Sequence, residues 1–294
     1  MSILLSGKEV SQNLINKLKK NILKLKVQGV TPAAAFIRIG SQRDDMAYQN
    51  SILRVCNNVG VTTILHELEN NITTEGLIVL ITKLNSDDLI HGIMIFRPFP
   101  EDIDEELINN TISPDKDVEG MNSVNLAKVF TGINEGFAPC TAKAVMEILD
   151  YYKISLKGKH AVILGRSMVV GKPLSMMLLK KDETVTLCHS KTERIDEISR
   201  TADVLVAAMG RANSVGADYI KPGAIVIDVG INVDQNGKIV GDVNFDEVEG
   251  IASMITPVPG GVGSVTTAIL IKNIVKAARN FECNKESAIV CQLI

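Results

Sequence analysis

Between Gly165 and Gly171 the chain reads GRSMVVG, and the residues around this stretch carry the most legible chemistry in the sequence. The apolar run 161–164 is short and rich in branched side chains, breaks at Gly165, and gives way to helical spacing over 170–179. Strand, tight turn and helix in that order gather backbone N–H groups and the positive end of a helix in one place. The natural guest there is an anion, typically a cofactor pyrophosphate. A second run, 184–188, has the Val and Thr of a buried strand, and the right-handed crossover rule lays it parallel to the first. An NAD site closes that second strand with Asp or Glu, about 20 residues past the glycines, to hold the ribose 2′-OH. Here it closes Cys188-His189-Ser190-Lys191, with no carboxylate, while Arg166 stands in the first turn. A guanidinium fork and a serine hydroxyl welcome a 2′-phosphate that an acid would repel, so these residues favour NADP. The bland alternative is that Arg166 and Lys191 are solvated loop charges, and the glycine spacing itself departs from G-x-G-x-x-G.

A second candidate is the loop TPVPGGVGSVTTAIL, residues 256–270. It is a rigid Pro-Gly segment running into a helix, and a loop this rich in glycine lets backbone approach a planar ligand closely. Ser264, Thr266 or Thr267 can cap that helix or face the ligand, and a merely structural turn is the alternative. No hydrolase nucleophile elbow, Walker loop or zinc pattern is present in the sequence.

The elements that position these loops follow from periodicity. Val10, Leu14, Leu18 and Ile22 share one face of a first helix that ends near Gly29. Strand 33–39, helix 45–59, strand 61–65, helix 74–84 and strand 91–96 then alternate, and RPFP at 97–100 ends the last strand in a rigid turn. Such alternation means a parallel sheet covered by helices. After the Asp-, Gly- and Pro-rich loop SPDKDVEGMNS, a helix over 141–151 leads into the dinucleotide unit. Its further strands, 204–208 and 224–229, end in glycine at the carboxyl edge of the sheet, where open α/β folds keep their ligands. A final helix to about Asn280 returns to the first half, followed by a loosely held tail. The expected architecture is α/β with two domains, residues 1–138 with 266–294 and residues 139–265.

Composition narrows the class. The chain has 294 residues, 46% apolar and 22% charged, with a net charge of −3. That length serves two domains with their own cores. The near-neutral balance gives no electrostatic case for nucleic acid or an anionic membrane. Five cysteines without a C-x-x-C pair fit the reduced thiols of a cytosolic protein, and four histidines show no metal-ligand spacing. The N-terminus does not read as a signal peptide, and PVPGGVG interrupts the long uncharged segment 250–271 that would otherwise resemble a membrane span.

Taken together, PCT at 139–141, GRSMVVGKP at 165–173, TVTLCHSKT at 184–192, KPGAIVIDVGIN at 221–232, GDV at 241–243 and PVPGGVG at 257–263 resemble one family over essentially the whole chain. It is the bifunctional methylenetetrahydrofolate dehydrogenase/methenyltetrahydrofolate cyclohydrolase family, FolD-type. The resemblance implies a two-domain α/β homodimer of the cytoplasm with a tetrahydrofolate derivative in the cleft between domains, and NADP contacts from Gly165, Arg166, Ser167, Ser190 and Ile231. It also implies that Tyr48 packs on and orients the folate and that Glu119 accepts hydrogen bonds from the pterin, beside the loop of Pro259, Gly260 and Gly263.

The folate side departs from the family's pattern. The family places a Lys four residues after the Tyr, and here AYQNSILRV has Ile52; its V-Q-L-P-L-P strand end reads IFRPFP, with Phe96 in the Gln place. The second Asp of D-V-D-G is Glu119, and the Pro closing PGGVGP is Ser264. Loss of Lys and Gln together reads as one coordinated change to apolar groups. Hydride transfer needs alignment and little proton transfer, whereas hydrolysis of the methenyl cation needs activated water and a delivered proton. The expected activity is therefore NADP-dependent dehydrogenation, with the cyclohydrolase step weak or altered. Arg54, Arg97 or Lys143 are candidates for a substitute cation that would keep both activities. A non-catalytic NADP- or folate-binding protein and a dehydrogenase of another small substrate are the rivals.

Overall fold

The protein is described by a computed structural model over residues 2–41 and 43–292. Along the chain run β1 (Ile3–Leu4), α1 (Gly7–Val27), β2 (Ala33–Ile39), α2 (Arg43–Val59), β3 (Thr62–Leu68), α3 (Thr74–Asn85), β4 (Gly92–Ile95), α4 (Glu105–Thr111), α5 (Ser123–Thr131) and α6 (Cys140–Tyr151). Then come β5 (His160–Leu164), α7 (Gly171–Leu179), β6 (Thr184–Cys188), α8 (Ile195–Ser199), β7 (Val204–Ala207), β8 (Ile225–Asp228), β9 (Asn232–Val233), β10 (Ile239–Val240), α9 (Phe245–Val248), β11 (Met254–Ile255) and α10 (Val262–Gln292). The chain forms two compact units, one of residues 14–127, 135–137 and 270 onward, the other of residues up to 13, 128–134 and 138–269.

The first unit is built on a parallel three-stranded sheet of order β3-β2-β4. All seven residues of β2 are buried, as expected of a strand covered on both faces, and AAAFIRI is apolar but for Arg38. Ala35, Ile37 and Ile39 pack with Ile93 and Ile95 of β4 against Leu77 and Ile81 of α3 and Ile108 of α4. Thr73 and Asp104 cap α3 and α4 by accepting the Gly76 and Leu107 N–H groups. The alternate residues of β2, including Phe36 and Arg38, turn to the opposite face, toward α2.

The second unit carries a six-stranded parallel sheet of order β1-β11-β8-β7-β5-β6, whose centre was expected from the sequence. β5 and β6 pair in parallel from His160↔Thr184 to Leu164↔Cys188. Val162, Leu164, Leu205, Ala207 and Val226 form one continuous core layer with Val248 of α9.

Two features differ from expectation. Residues up to 13, assigned to the first domain by sequence, go with the second unit, because β1 extends the six-stranded sheet through Ile3↔Met254 and Leu4↔Ile255. The last helix does not stop near Asn280 but runs 31 residues to Gln292, since residues 281–292 contain neither Gly nor Pro to end it. It crosses from the second unit to the first at Leu270, not at residue 266. In the first unit its Asn273 donates to the Val118 carbonyl at 2.8 Å and its Phe281 ring meets His91 edge-on.

Candidate functional site

The dinucleotide turn is shaped by close backbone approach. Gly165 has φ +128°, and a Cβ there would lie 2.2 Å from the Ala208 carbonyl oxygen; a Cβ on Gly171 would lie 1.9 Å from the Gly165 oxygen. Only glycine fits either position. Ser167 Oγ accepts the Val170 N–H at 3.1 Å and so holds the turn, while α7 begins without a side-chain cap, leaving its N-terminal end open to an anion. Arg166 and Ser190 are both exposed, the first after β5 and the second after β6. The His189 N–H bonds the Thr192 hydroxyl at 2.9 Å, which shapes the strand end around Ser190. A glycine-lined turn, an open helix end, an exposed guanidinium and no carboxylate at the close of β6 fit a dinucleotide bearing a 2′-phosphate.

Two buried aspartates brace the neighbouring strand ends. Asp228, closing β8, accepts the N–H groups of Gly230, Asp242 and Val243 at 2.9, 3.0 and 2.9 Å, and burial pushes its carboxyl up to about 6. Asp242 accepts from Met209, Gly210 and Arg211 N–H at 2.5, 3.0 and 2.8 Å and from Asn232 at 2.9 Å. Together they fix the loops after β7 and β8. Ile231, next to this brace, is 65% exposed and lies against Gly263, where an added Cβ would sit 3.0 Å from Ile231 Cδ1. One residue expected on the cofactor side and one expected on the substrate side thus meet within a single unit. Pro259 and Gly260 belong to the same unit, where the Gly260 carbonyl accepts the Lys8 N–H at 3.2 Å.

In the other unit Tyr48, on α2, is 46% exposed and meets Phe96 edge-on at 6.0 Å between ring centroids. Phe96 is itself buried and stacks on Phe36 at 6.2 Å. Ile52, one turn beyond Tyr48, is 0% exposed. Glu119 reaches the end of β4 through the segment beside it: Ile93 donates to the Lys116 carbonyl at 2.7 Å, and Ile95 N–H reaches Glu119 Oε2 at 3.4 Å. Burial pushes the Glu119 carboxyl up to about 7, with Arg97 pulling it down and Asp117 and Glu105 pushing it up. Asp117 ties the DVEG loop by accepting from Gly120, Asn122 and Asn125 at 3.0, 2.8 and 2.9 Å.

Among the candidate substitute cations, Arg54 is exposed and Lys143 lies in the other unit. Arg97 is held by Glu105 at 3.2 Å and Asn109 at 2.8 Å and lies over the Phe99 ring at 5.2 Å. The sequence reading missed a different cation. Arg38 is 5% exposed, donates to Gln49 Oε1 at 2.7 Å and pairs with Glu67, while its Nη1 has no partner. The apolar patch at Ile52 and Phe96 therefore shares its sheet face with a buried guanidinium and amide. The signal lay in one Arg inside AAAFIRI and one Gln on the helix that follows, one residue after Tyr48.

Among the described residues no cluster of His, Cys, Asp and Glu can hold a metal ion, and no helix is long and apolar enough to cross a membrane. Cys56, Cys140 and Cys188 are buried, Cys283 is exposed, and the side chain of Cys291 lies outside the described residues.

Residues 5–119 match the family model for the tetrahydrofolate dehydrogenase/cyclohydrolase catalytic domain, and residues 139–282 match the model for its NAD(P)-binding domain. The chain is 48% identical over 280 residues to bifunctional protein FolD 1 of Desulfitobacterium hafniense (strain Y51), covering 95% of this chain and 100% of that protein. Its structure is similar to that of the bifunctional enzyme FolD from Campylobacter jejuni, with TM-score 0.94, 42% identity and coverage of 95% and 99%. It is also similar to the Trypanosoma brucei dehydrogenase-cyclohydrolase complexed with NADP cofactor and inhibitor, with TM-score 0.90, 33% identity and coverage of 95% and 98%.

Proposed function

The chain belongs to the tetrahydrofolate dehydrogenase/cyclohydrolase family and is an enzyme of it, and from that premise we propose that it acts as an NADP-dependent 5,10-methylenetetrahydrofolate dehydrogenase whose hydrolytic second activity is weak. The observation that carries this reading is the burial of Ile52 together with the seating of Phe96 between Tyr48 and Phe36. No titratable group occupies either of these two positions.

Each residue's contribution follows from its chemistry. Tyr48 offers the exposed part of a ring that Phe96 steadies from behind, a surface on which a planar pterin packs. Glu119, when ionised, accepts the pterin's amino and ring N–H groups. Gly165, Gly171 and the open end of α7 receive the pyrophosphate, while Arg166 and Ser190 take the 2′-phosphate. NADP, when bound, supplies the hydride acceptor. Oxidation of the methylene carbon asks only that the protein hold the two reacting carbons close and aligned.

Hydrolysis asks for more, because water must lose a proton and a folate nitrogen must gain one. Isoleucine and phenylalanine do neither, so roughly two to four powers of ten of general acid–base help are missing. Arg38 does not replace it, since a guanidinium stays protonated and cannot act as a base. One observation favours the alternative, in which both activities persist: a carboxyl held at about 7, as Glu119 is, suits proton transfer near neutral pH. Purified protein given methylenetetrahydrofolate with NADP, then with NAD, tests the reading. Faster cofactor reduction with NADP is expected, and no reduction with either would overturn it.

A further inference from the structure

Arg97 follows the carboxyl end of β4 by two residues, and Glu119 reaches the last residue of that strand, Ile95. Arg97 is anchored on three sides, through Nε to Glu105 at 3.2 Å, through Nη2 to Asn109 at 2.8 Å, and by the Phe99 ring below its guanidinium. Its remaining nitrogen, Nη1, is buried and has no hydrogen-bond partner. Glu119 feels the charge of Arg97, yet no ion pair joins the two among the described residues, and the Ile95 N–H is a distant 3.4 Å from its carboxylate. An unpaired guanidinium edge is costly to bury unless something else completes it.

We propose that Arg97 is a specificity-determining residue of the substrate site, donating through Nη1 to the carbonyl of the ligand's cyclic amide while Glu119 accepts the adjacent N–H. The inference rests on the folate reading above and adds the second half of the edge that recognises the pterin. A cyclic amide offers a carbonyl and an N–H on neighbouring atoms, which matches one donor beside one acceptor. The rigid anchoring of the fork makes Lys a poor substitute, because an ammonium lacks the planar geometry.

Two ligands test this on the unaltered protein: pterin, which carries the 4-oxo group, and 2,4-diaminopteridine, which puts an amino group there. Because hydrogen bonds to charged groups are the stronger ones, binding of the diamino compound is expected to be weaker by about tenfold or more. Equal or tighter binding of the diamino compound overturns the proposal. If neither compound binds and methylenetetrahydrofolate is not oxidised, the folate reading itself has failed. The variant Arg97→Leu is expected to raise KM for the folate about 10- to 100-fold with little change in kcat or in KM for NADP. The groups that set the charge of Glu119 are Arg97, Asp117 and Glu105. Removing Arg97 therefore moves the acid limb of kcat/KM to higher pH, and Arg97→Lys leaves it in place. A folded Arg97→Leu protein with unchanged KM and an unmoved acid limb contradicts the proposal.

Discussion

The ring of Tyr48 meets that of Phe96 edge-on, with centroids 6.0 Å apart and planes at 86°. Phe96 stacks in turn on Phe36 of β2, so the exposed tyrosine rests on a buried aromatic pair. Aromatic packing has the place where the family keeps an amine and its amide, and that substitution governs the chemistry expected of the site.

Restoring the amine alone is expected to fail. Ile52→Lys puts an ammonium at a fully buried position with Phe96 in the place of an amide acceptor, at a cost of about 3 kcal/mol or more. Urea denaturation reads this loss. Hydrolysis of methenyltetrahydrofolate is expected to rise only when Phe96→Gln is added, and a stable Ile52→Lys protein with fast hydrolysis would show the reasoning wrong.

The buried pair of Arg38 and Gln49 is expected to behave as one unit. Arg38→Leu leaves the Gln49 carbonyl buried without its donor and costs about 1–3 kcal/mol. The double variant Arg38→Leu with Gln49→Leu should recover most of that, because removing both partners of a buried polar pair is often nearly neutral. Simple additivity in a double-mutant cycle would rule out the coupling. The contact with Glu67, whose side chain is 57% exposed, contributes little to the balance.

Cofactor choice should lie with two exposed residues. Arg166→Ala is expected to raise KM for NADP about 10- to 100-fold while leaving KM for NAD nearly unchanged. Ser190→Asp introduces the acid that holds a ribose 2′-OH and repels a 2′-phosphate, and should move preference toward NAD. Steady-state kinetics with both cofactors decides, and equal losses for NADP and NAD would contradict the assignment.

A pH dependence of stability is expected from Glu183, buried just before β6 with neither carboxylate oxygen partnered. Burial, with Asp203 adding to it, pushes its carboxyl up from 4.5 to about 7. The folded state therefore holds this proton more tightly than the unfolded state. The stability it contributes is present below the unfolded value and is lost as pH rises through about 7. Glu183→Gln should melt like the parent near about pH 5 and at a higher temperature near about pH 8. Identical melting of the two proteins at the higher pH would refute this.

Much of the fold was legible because its signals are local. The run AAAFIRI between Pro32 and Gly40 and the break at Gly165 mark β2 and the dinucleotide turn by composition and period alone. Tyr48 and Glu119 were singled out only through the family resemblance, and it is the structure that sets them against Phe96 and Ile95 at the end of β4. Long-range pairing was not legible. Nothing in Ile3 and Leu4 announces β11 as their partner, and nothing near Asp228 or Asp242 announces that one receives the other's backbone N–H. Arg38 stayed hidden because its partner Gln49 lies on the next element, and only the alternation of faces along β2 brings the two together.

The most direct measurement follows methenyltetrahydrofolate hydrolysis and NADP-dependent methylenetetrahydrofolate oxidation side by side on one preparation of the unaltered protein. With Ile52 and Phe96 in place of acid–base groups, hydrolysis is expected to be slower than oxidation by roughly two to four powers of ten. Hydrolysis that keeps pace with oxidation would contradict it and would move the proton chemistry to another group.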